Sequence, residues 1–231
     1  MMKNVFREGL SNNALKIIAL ISMTLDHLCI LIIPQVEWLR IIGRIAMPIF
    51  AYMIAEGCKY TKNKLKYFLM VFILGVICQV VYYVSDGSLL MGILIDFSIS
   101  ILLIYFIDYA LNVKKWWAYT LAILSIIATA LLVYILPEWT NGDLYFDYGL
   151  GAILLPVVIY IFNNKWLKLF ATAIFLIPIC AIDWQIQWFC YLALIPLALY
   201  NGKRGKYKLK YLFYLYYPIH LAVLYLIGIM I

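Results

Sequence analysis

Apolar residues fall into nine runs along this chain, at about 13–33, 39–58, 66–84, 89–111, 116–136, 146–162, 166–182, 186–201 and 209–231, separated by short polar stretches. A helix needs roughly 20 apolar residues to cross the hydrocarbon core of a bilayer, and most of the runs meet that length. The pattern predicts an all-α fold, a polytopic transmembrane helix bundle of about nine spans, in a single domain over residues 1–231. The runs at 166–182 and 186–201 are short, which leaves open tilted spans, partly re-entrant helices or a different division. The first run has no small-residue cleavage site after it and reads as a retained span rather than a leader.

Charge sharpens the picture. Sixteen of the eighteen basic residues fall at alternate connections: Lys3, Arg7 and Lys16; Lys59 to Lys66; Lys114 and Lys115; Lys165 and Lys168; Lys203 to Lys210. The other connections carry Glu37, Arg40, Asp86, Glu138, Asp143, Asp147 and Asp183. Basic loops stay in the cytoplasm, so the N-terminus is expected inside and, with nine spans, the C-terminus outside. The net charge of +7 is then a topological signature, and a nucleic-acid partner is not expected. The chain is 67% hydrophobic and only 13% charged, more apolar than a soluble domain of this length can bury. Five cysteines, at 29, 58, 78, 180 and 190, lie in or at the ends of apolar runs with no CxxC spacing. Free buried thiols are expected, with neither disulfide nor metal ligation.

Against this background the ionisable residues inside the runs stand out, because each costs several kcal/mol at membrane depth unless paired or wetted. They are Asp26, His27, Arg44, Glu56, Asp96, Asp108 and His220, with Gln79 as a polar neighbour. At ~1.5 Å rise per residue, Asp26, His27, Arg44, Gln79, Asp96 and His220 are expected at comparable depth, in the middle to outer half. Adjacent residues on a helix diverge by about 100°, so Asp26 and His27 cannot act as a dyad with each other. Asp26 is expected to pair with Arg44, and His27 to face a cavity as a catalytic candidate, with His220 as a second. Glu56 and Asp108 are expected near the inner interface, paired with lysines. At the inner face, NGKRGKYKLK (201–210) combines two glycines with five basic residues. It reads either as plain positive-inside bias and lipid-phosphate contact or as a site for a phosphate-bearing cytoplasmic cosubstrate.

Several stretches in order, LSNNALKIIALISMTLDHL, GRIAMPIFAYMIAEG, DYGLGAILL, LYNGKRG and KYLFYLYYPIHLAVLYLI, resemble the TraX family of integral membrane proteins. The resemblance runs from Leu10 to the C-terminus and is weakest over about 85–140. The chain departs from the family pattern at Gln79, where an acid is usual, and near Gly92 and Asp96, where an Asn and a Thr are usual. The founding member is linked to N-terminal acetylation of pilin in conjugative systems. The resemblance implies an acetyltransferase of the bacterial cytoplasmic membrane that uses cytoplasmic acetyl-CoA and no metal. The acceptor would be an amine or hydroxyl on a peptide, glycan or small molecule, reached from the outer side. His27, Asp26, Arg44 and His220 would be the catalytic group. Lys59, Lys62, Asn201, Lys203 and Arg204 would hold the cosubstrate. Asn12, Asn13, Gln79, Asp96 and Tyr217 would line the substrate cavity. A transporter or proton-coupled carrier using the same polar layer, and an assembly factor of the cell envelope, are the other readings.

Overall fold

The computed structural model describes residues 9–181, 185–206 and 209–230. Lys3, Arg7, Asp183 and Lys208, read above as topological charges, lie outside them. Among the described residues helices are the only regular elements, with two isolated bridge pairs, Leu10 with Tyr200 and Met91 with Phe146, as the only β-type pairing.

The helices follow the apolar runs. In chain order they are α1 (Asn12–Leu31), α2 (Trp38–Gly43), α3 (Ala46–Tyr60), α4 (Lys64–Asp86), α5 (Ile93–Val113), α6 (Trp116–Trp139), α7 (Gly149–Ile161) and α8 (Lys165–Cys180). A 3₁₀ segment (Gln187–Ala193) then runs into the short α9 (Leu194–Ala198), and α10 (Lys210–Met230) completes the set. Their starts are written locally. Ser11, Asn63 and Asn164 each stand before a helix and accept a backbone N–H of its first turn, from Ala14, Lys66 and Trp166. Such a cap is worth about 1 kcal/mol. Gly87, with φ +71°, ends α4 in the left-handed conformation that glycine takes most easily.

The second apolar run is divided. Its interior holds Pro48, which has no N–H and whose ring crowds the carbonyl four residues back. That carbonyl belongs to Arg44, and the helix breaks at Arg44–Ile45. Pro218 lies inside α10, which runs through it without interruption.

Among the described residues, six segments are long and apolar enough to cross a membrane: 12–31, 38–60, 64–85, 93–113, 116–139 and 212–230. The apolar helices α7 and 187–198 are shorter. At thirteen residues, α7 reaches only ~20 Å. It can be short because Ala152, Ile153, Leu155 and Ile159 are fully buried, so protein rather than lipid surrounds it.

Two compact units form, one of residues 1–53 with 162–231, the other of residues 54–161, the boundary falling inside α3. In the first, α1 packs on α2 and on α10, and α8 packs on the 3₁₀ segment and α9. Helices α1 and α10 run parallel: Lys16 lies over the Phe213 ring, Thr24 meets Tyr216, His27 meets His220, and Gly228 approaches Leu31. In the second unit, α5 packs on α4, α6 and α7. Ser100 ties α5 to α7 by donating to the Ile153 carbonyl at 2.7 Å.

Candidate functional site

Helix α1 carries two polar neighbours on different faces. Asp26 faces α2. The connection 32–37 returns the chain so that Arg40 and Arg44 both reach it. Arg44 Nη2 donates to Asp26 Oδ2, and Arg40 Nε stands 4.0 Å from Oδ1. Arg44 Nη1 donates to Gln187 Oε1 at 3.0 Å. Asp26, Arg44 and Gln187 are all buried. A buried ion pair is only weakly stabilising relative to an apolar packing of the same volume, whereas removal of one partner is costly. Its effect here is to fix the geometry between α1, α2 and the 3₁₀ segment. The close approach depends on Gly43: a Cβ there would overlap Asp26, whose Oδ1 would lie 2.6 Å away.

His27 turns to α10. Its Nδ1 lies 2.8 Å from His220 Nε2, and His220 Nδ1 lies 3.0 Å from the Tyr216 carbonyl oxygen. A carbonyl only accepts, so His220 Nδ1 carries a proton and donates it. A neutral His220 then offers a lone pair at Nε2, and His27 Nδ1–H donates to it. The same logic leaves the lone pair of neutral His27 on Nε2, the position suited to a base or nucleophile. This tautomer chain is assigned from the partners that each nitrogen meets. The rings are braced as well. The Tyr216 ring stacks on His220 with centroids 5.3 Å apart, and Tyr217 stands edge-on to both histidines. Thr24 donates to the Leu20 carbonyl, so the Tyr216 hydroxyl, 2.7 Å from Thr24 Oγ1, is the donor of that pair.

The other end of α1 builds a second feature. The N–H groups of Asn12 and Asn13 donate to the carbonyls of Lys203 and Arg204, at 2.8 and 3.3 Å. Leu10 and Asn201 close the joint with N–H bonds to Leu199 and Leu10 carbonyls. Gly205, at φ +93°, seats against it; a Cβ there would come within 2.9 Å of Ser11 Oγ. The loop carbonyls therefore saturate a helix N-terminus that would otherwise attract anions. Lys203, Arg204 and Lys206 are left exposed. Asn12 and Asn13, expected in the substrate cavity, belong to this joint, about 20 Å along α1 from His27 by helical rise. Behind the loop, Lys168, counted above as a loop charge, is buried on α8 with its ammonium 5.4 Å over the Tyr52 ring. The Tyr52 ring in turn meets Tyr200 edge-on.

The remaining candidates lie in the second unit. Gln79 bridges α4 to the start of α5, donating to the Ser88 carbonyl and accepting from Gly92 N–H, each at 3.4 Å. Asp96 is fully buried in the first turn of α5, beside Asp147 and the Tyr148 backbone amide. Asp108 is held by Lys64 and by the Tyr160 hydroxyl at 2.9 Å, as expected of an acid near a basic connection. Glu56 is buried, while Lys59 and Lys62 are exposed. Among the described residues no three His, Cys, Asp or Glu side chains converge as metal ligands.

Arg40, Gln187, Thr24 and Tyr216 were not singled out by sequence reasoning. Arg40 lies at a run edge and reads as a loop charge. Gln187 is the one carrying a signal, as a polar residue in an apolar stretch. Thr24 and Tyr216 are ordinary membrane residues whose pairing depends on the register between α1 and α10.

These features define an all-helical, multi-pass membrane protein with a polar centre inside its first unit. A model of the family described as TraX protein matches residues 11–228, and the chain belongs to that family. It is similar to a protein of Dichelobacter nodosus described as "Probable fimbrial assembly protein FimC, serogroup H1", 26% identical over 246 residues that cover 91% of this chain and 92% of the relative. It also resembles "Uncharacterized protein RP591" of Rickettsia prowazekii (strain Madrid E), 41% identical over 66 residues, 29% of this chain and 25% of the relative. No solved structure matches.

Proposed function

We propose that the protein is a membrane acetyltransferase that takes an acetyl group from cytoplasmic acetyl-CoA and passes it to an amine or hydroxyl acceptor reached from the extracytoplasmic side. The observation that carries this reading is the His27–His220–Tyr216 chain, which directs the lone pair of His27 to Nε2. His27 removes a proton from the acceptor as it attacks the thioester carbon, the C–S bond breaks, and CoA leaves as its thiol after taking up a proton. His220 holds the His27 ring and its tautomer, while Asp26, Arg44 and Gln187 keep α1, α2 and the 3₁₀ segment in register. Asp26 Oδ1 and Gln187 Nε2 are buried with no hydrogen-bond partner among the described residues; a polar group of the acceptor would satisfy them.

The cosubstrate phosphates are assigned to the exposed Lys203 and Arg204, with Asn201 shaping the loop by accepting the Lys203 N–H at 2.9 Å. The basic connections put this end of the first unit in the cytoplasm of a bacterial cell. The parallel course of α1 and α10 supports an odd number of crossings and hence termini on opposite sides of the membrane. The name of the Dichelobacter relative connects that protein with fimbrial assembly, and a surface-filament subunit is accordingly among the acceptors to try here.

The test is direct. Purified protein is incubated with acetyl-labelled acetyl-CoA, and binding, hydrolysis and transfer to amine and hydroxyl acceptors are measured. No binding at millimolar cosubstrate would exclude the enzyme. Binding with slow hydrolysis that acceptor peptides accelerate would support it.

A further inference from the structure

Cys180 ends α8 and Cys190 lies in the 3₁₀ segment that follows. Both side chains are fully buried, and their sulfurs stand 3.4 Å apart. The Cys180 thiol also lies 3.5 Å from the Gln187 carbonyl. Gln187 is the residue whose side chain accepts from Arg44. Two thiols in contact, with the anchor of the buried ion pair between them in sequence, form an arrangement that neither the spacing nor the apolar surroundings announce.

We propose that Cys180 and Cys190 are joined by a disulfide in the mature protein, which staples the end of α8 to the 3₁₀ segment and fixes Gln187 against Arg44. The bridge needs the sulfurs to close from van der Waals contact to the ~2.05 Å of a bond, within reach of small side-chain rotations. The inference rests on the orientation proposed above, because the connection between the two cysteines is one of the acidic ones and falls on the outer side, where disulfides persist. The oxidant is another disulfide, on a protein or a small molecule. One thiolate attacks it and releases the first of its thiols. The second cysteine thiolate then displaces the other from the mixed disulfide, so that two electrons and two protons pass to the oxidant. Burial places this step before the unit closes and afterwards shields the bond from reductants.

The test uses the full-length chain with Cys29, Cys58 and Cys78 replaced by Ser. Membranes are prepared with N-ethylmaleimide present, and the protein is denatured and treated with a maleimide-polyethylene glycol reagent before and after reduction. A disulfide gives no addition before reduction and two after it. Peptide mass spectrometry shows the 180–190 crosslink, and Cys180→Ser abolishes the difference. In detergent, reductant should lower the melting temperature by roughly 5–10 °C and leave the Cys180→Ser, Cys190→Ser variant unmoved. Alkylation of both thiols at lysis overturns the proposal. A second chain, with all five cysteines replaced and Gly142→Cys introduced on another acidic connection, separates the causes. If Gly142→Cys is labelled from outside by an impermeant maleimide while the pair is found as thiols, the pairing itself is wrong. If it is shielded, the orientation is wrong.

Discussion

At the scale of single residues, the site divides labour between neighbours. Asp26 and His27 are adjacent, yet one is locked to Arg44 and the other to His220. Replacement of His27 by Ala should reduce the proposed acetyl transfer by about 10²–10⁴-fold while acetyl-CoA binding, followed by equilibrium dialysis, changes little. His220→Asn should fall between wild type and His27→Ala, because its loss unfixes the His27 tautomer without removing the proposed base; transfer equal to that of His27→Ala would make the two a single unit. The ion pair predicts asymmetry of another kind. Asp26→Ala should cost about 3–5 kcal/mol, seen as a lower thermal midpoint, since it strands the Arg44 charge in the interior. The double replacement Asp26→Leu, Arg44→Met should recover much of that stability but not activity.

The elements carry predictions of their own. The first turn of α1 and the 201–205 loop are one structural joint, made by backbone bonds from Asn12 and Asn13. Gly205→Ala should strain it by roughly 1–3 kcal/mol, since φ is +93° and the added methyl meets Ser11 Oγ. The expected readout is a cosubstrate affinity weakened by about tenfold. Arg204→Ala should weaken affinity similarly without altering the fold, because its side chain is exposed. The break at Arg44–Ile45 is a second element-scale device. Pro48 frees the Arg44 carbonyl from the helical ladder, and the turn places the guanidinium between Asp26 and Gln187.

For the whole molecule, the expectation concerns sidedness. The described helices leave broad apolar surface facing outward, on α4 and α6 above all, as lipid requires. A phosphatase reporter that folds only outside the cytoplasm, fused after α10, should be active, and the same reporter placed in the 114–115 connection should be silent. The reverse pair of outcomes would invert the orientation and move the proposed cosubstrate loop to the outer face. The second unit adds its own fixed points, Asp108 with Lys64 and Tyr160, and Gln79 across the start of α5.

Much of this was readable from residues alone. Helix positions follow from apolar runs of membrane length, because a bilayer accepts no other open-chain backbone structure. The Asp26–Arg44 pair follows too, since two opposite charges at one depth across a short connection have few other partners. Proline and glycine identify the break at Arg44 and the joint at Gly205 only in retrospect, once their neighbours are known. What tertiary structure alone decided is the pairing between distant segments. The meeting of His27 with His220 across 193 positions, the capture of Arg44 by Gln187, the closure of α1 by the 203–204 carbonyls and the contact of Cys180 with Cys190 all depend on the register and rotation of helices against one another. Hydropathy specifies how deep a residue lies. It does not specify which way the helix is turned, and that rotation is set by side-chain packing summed over many weak contacts.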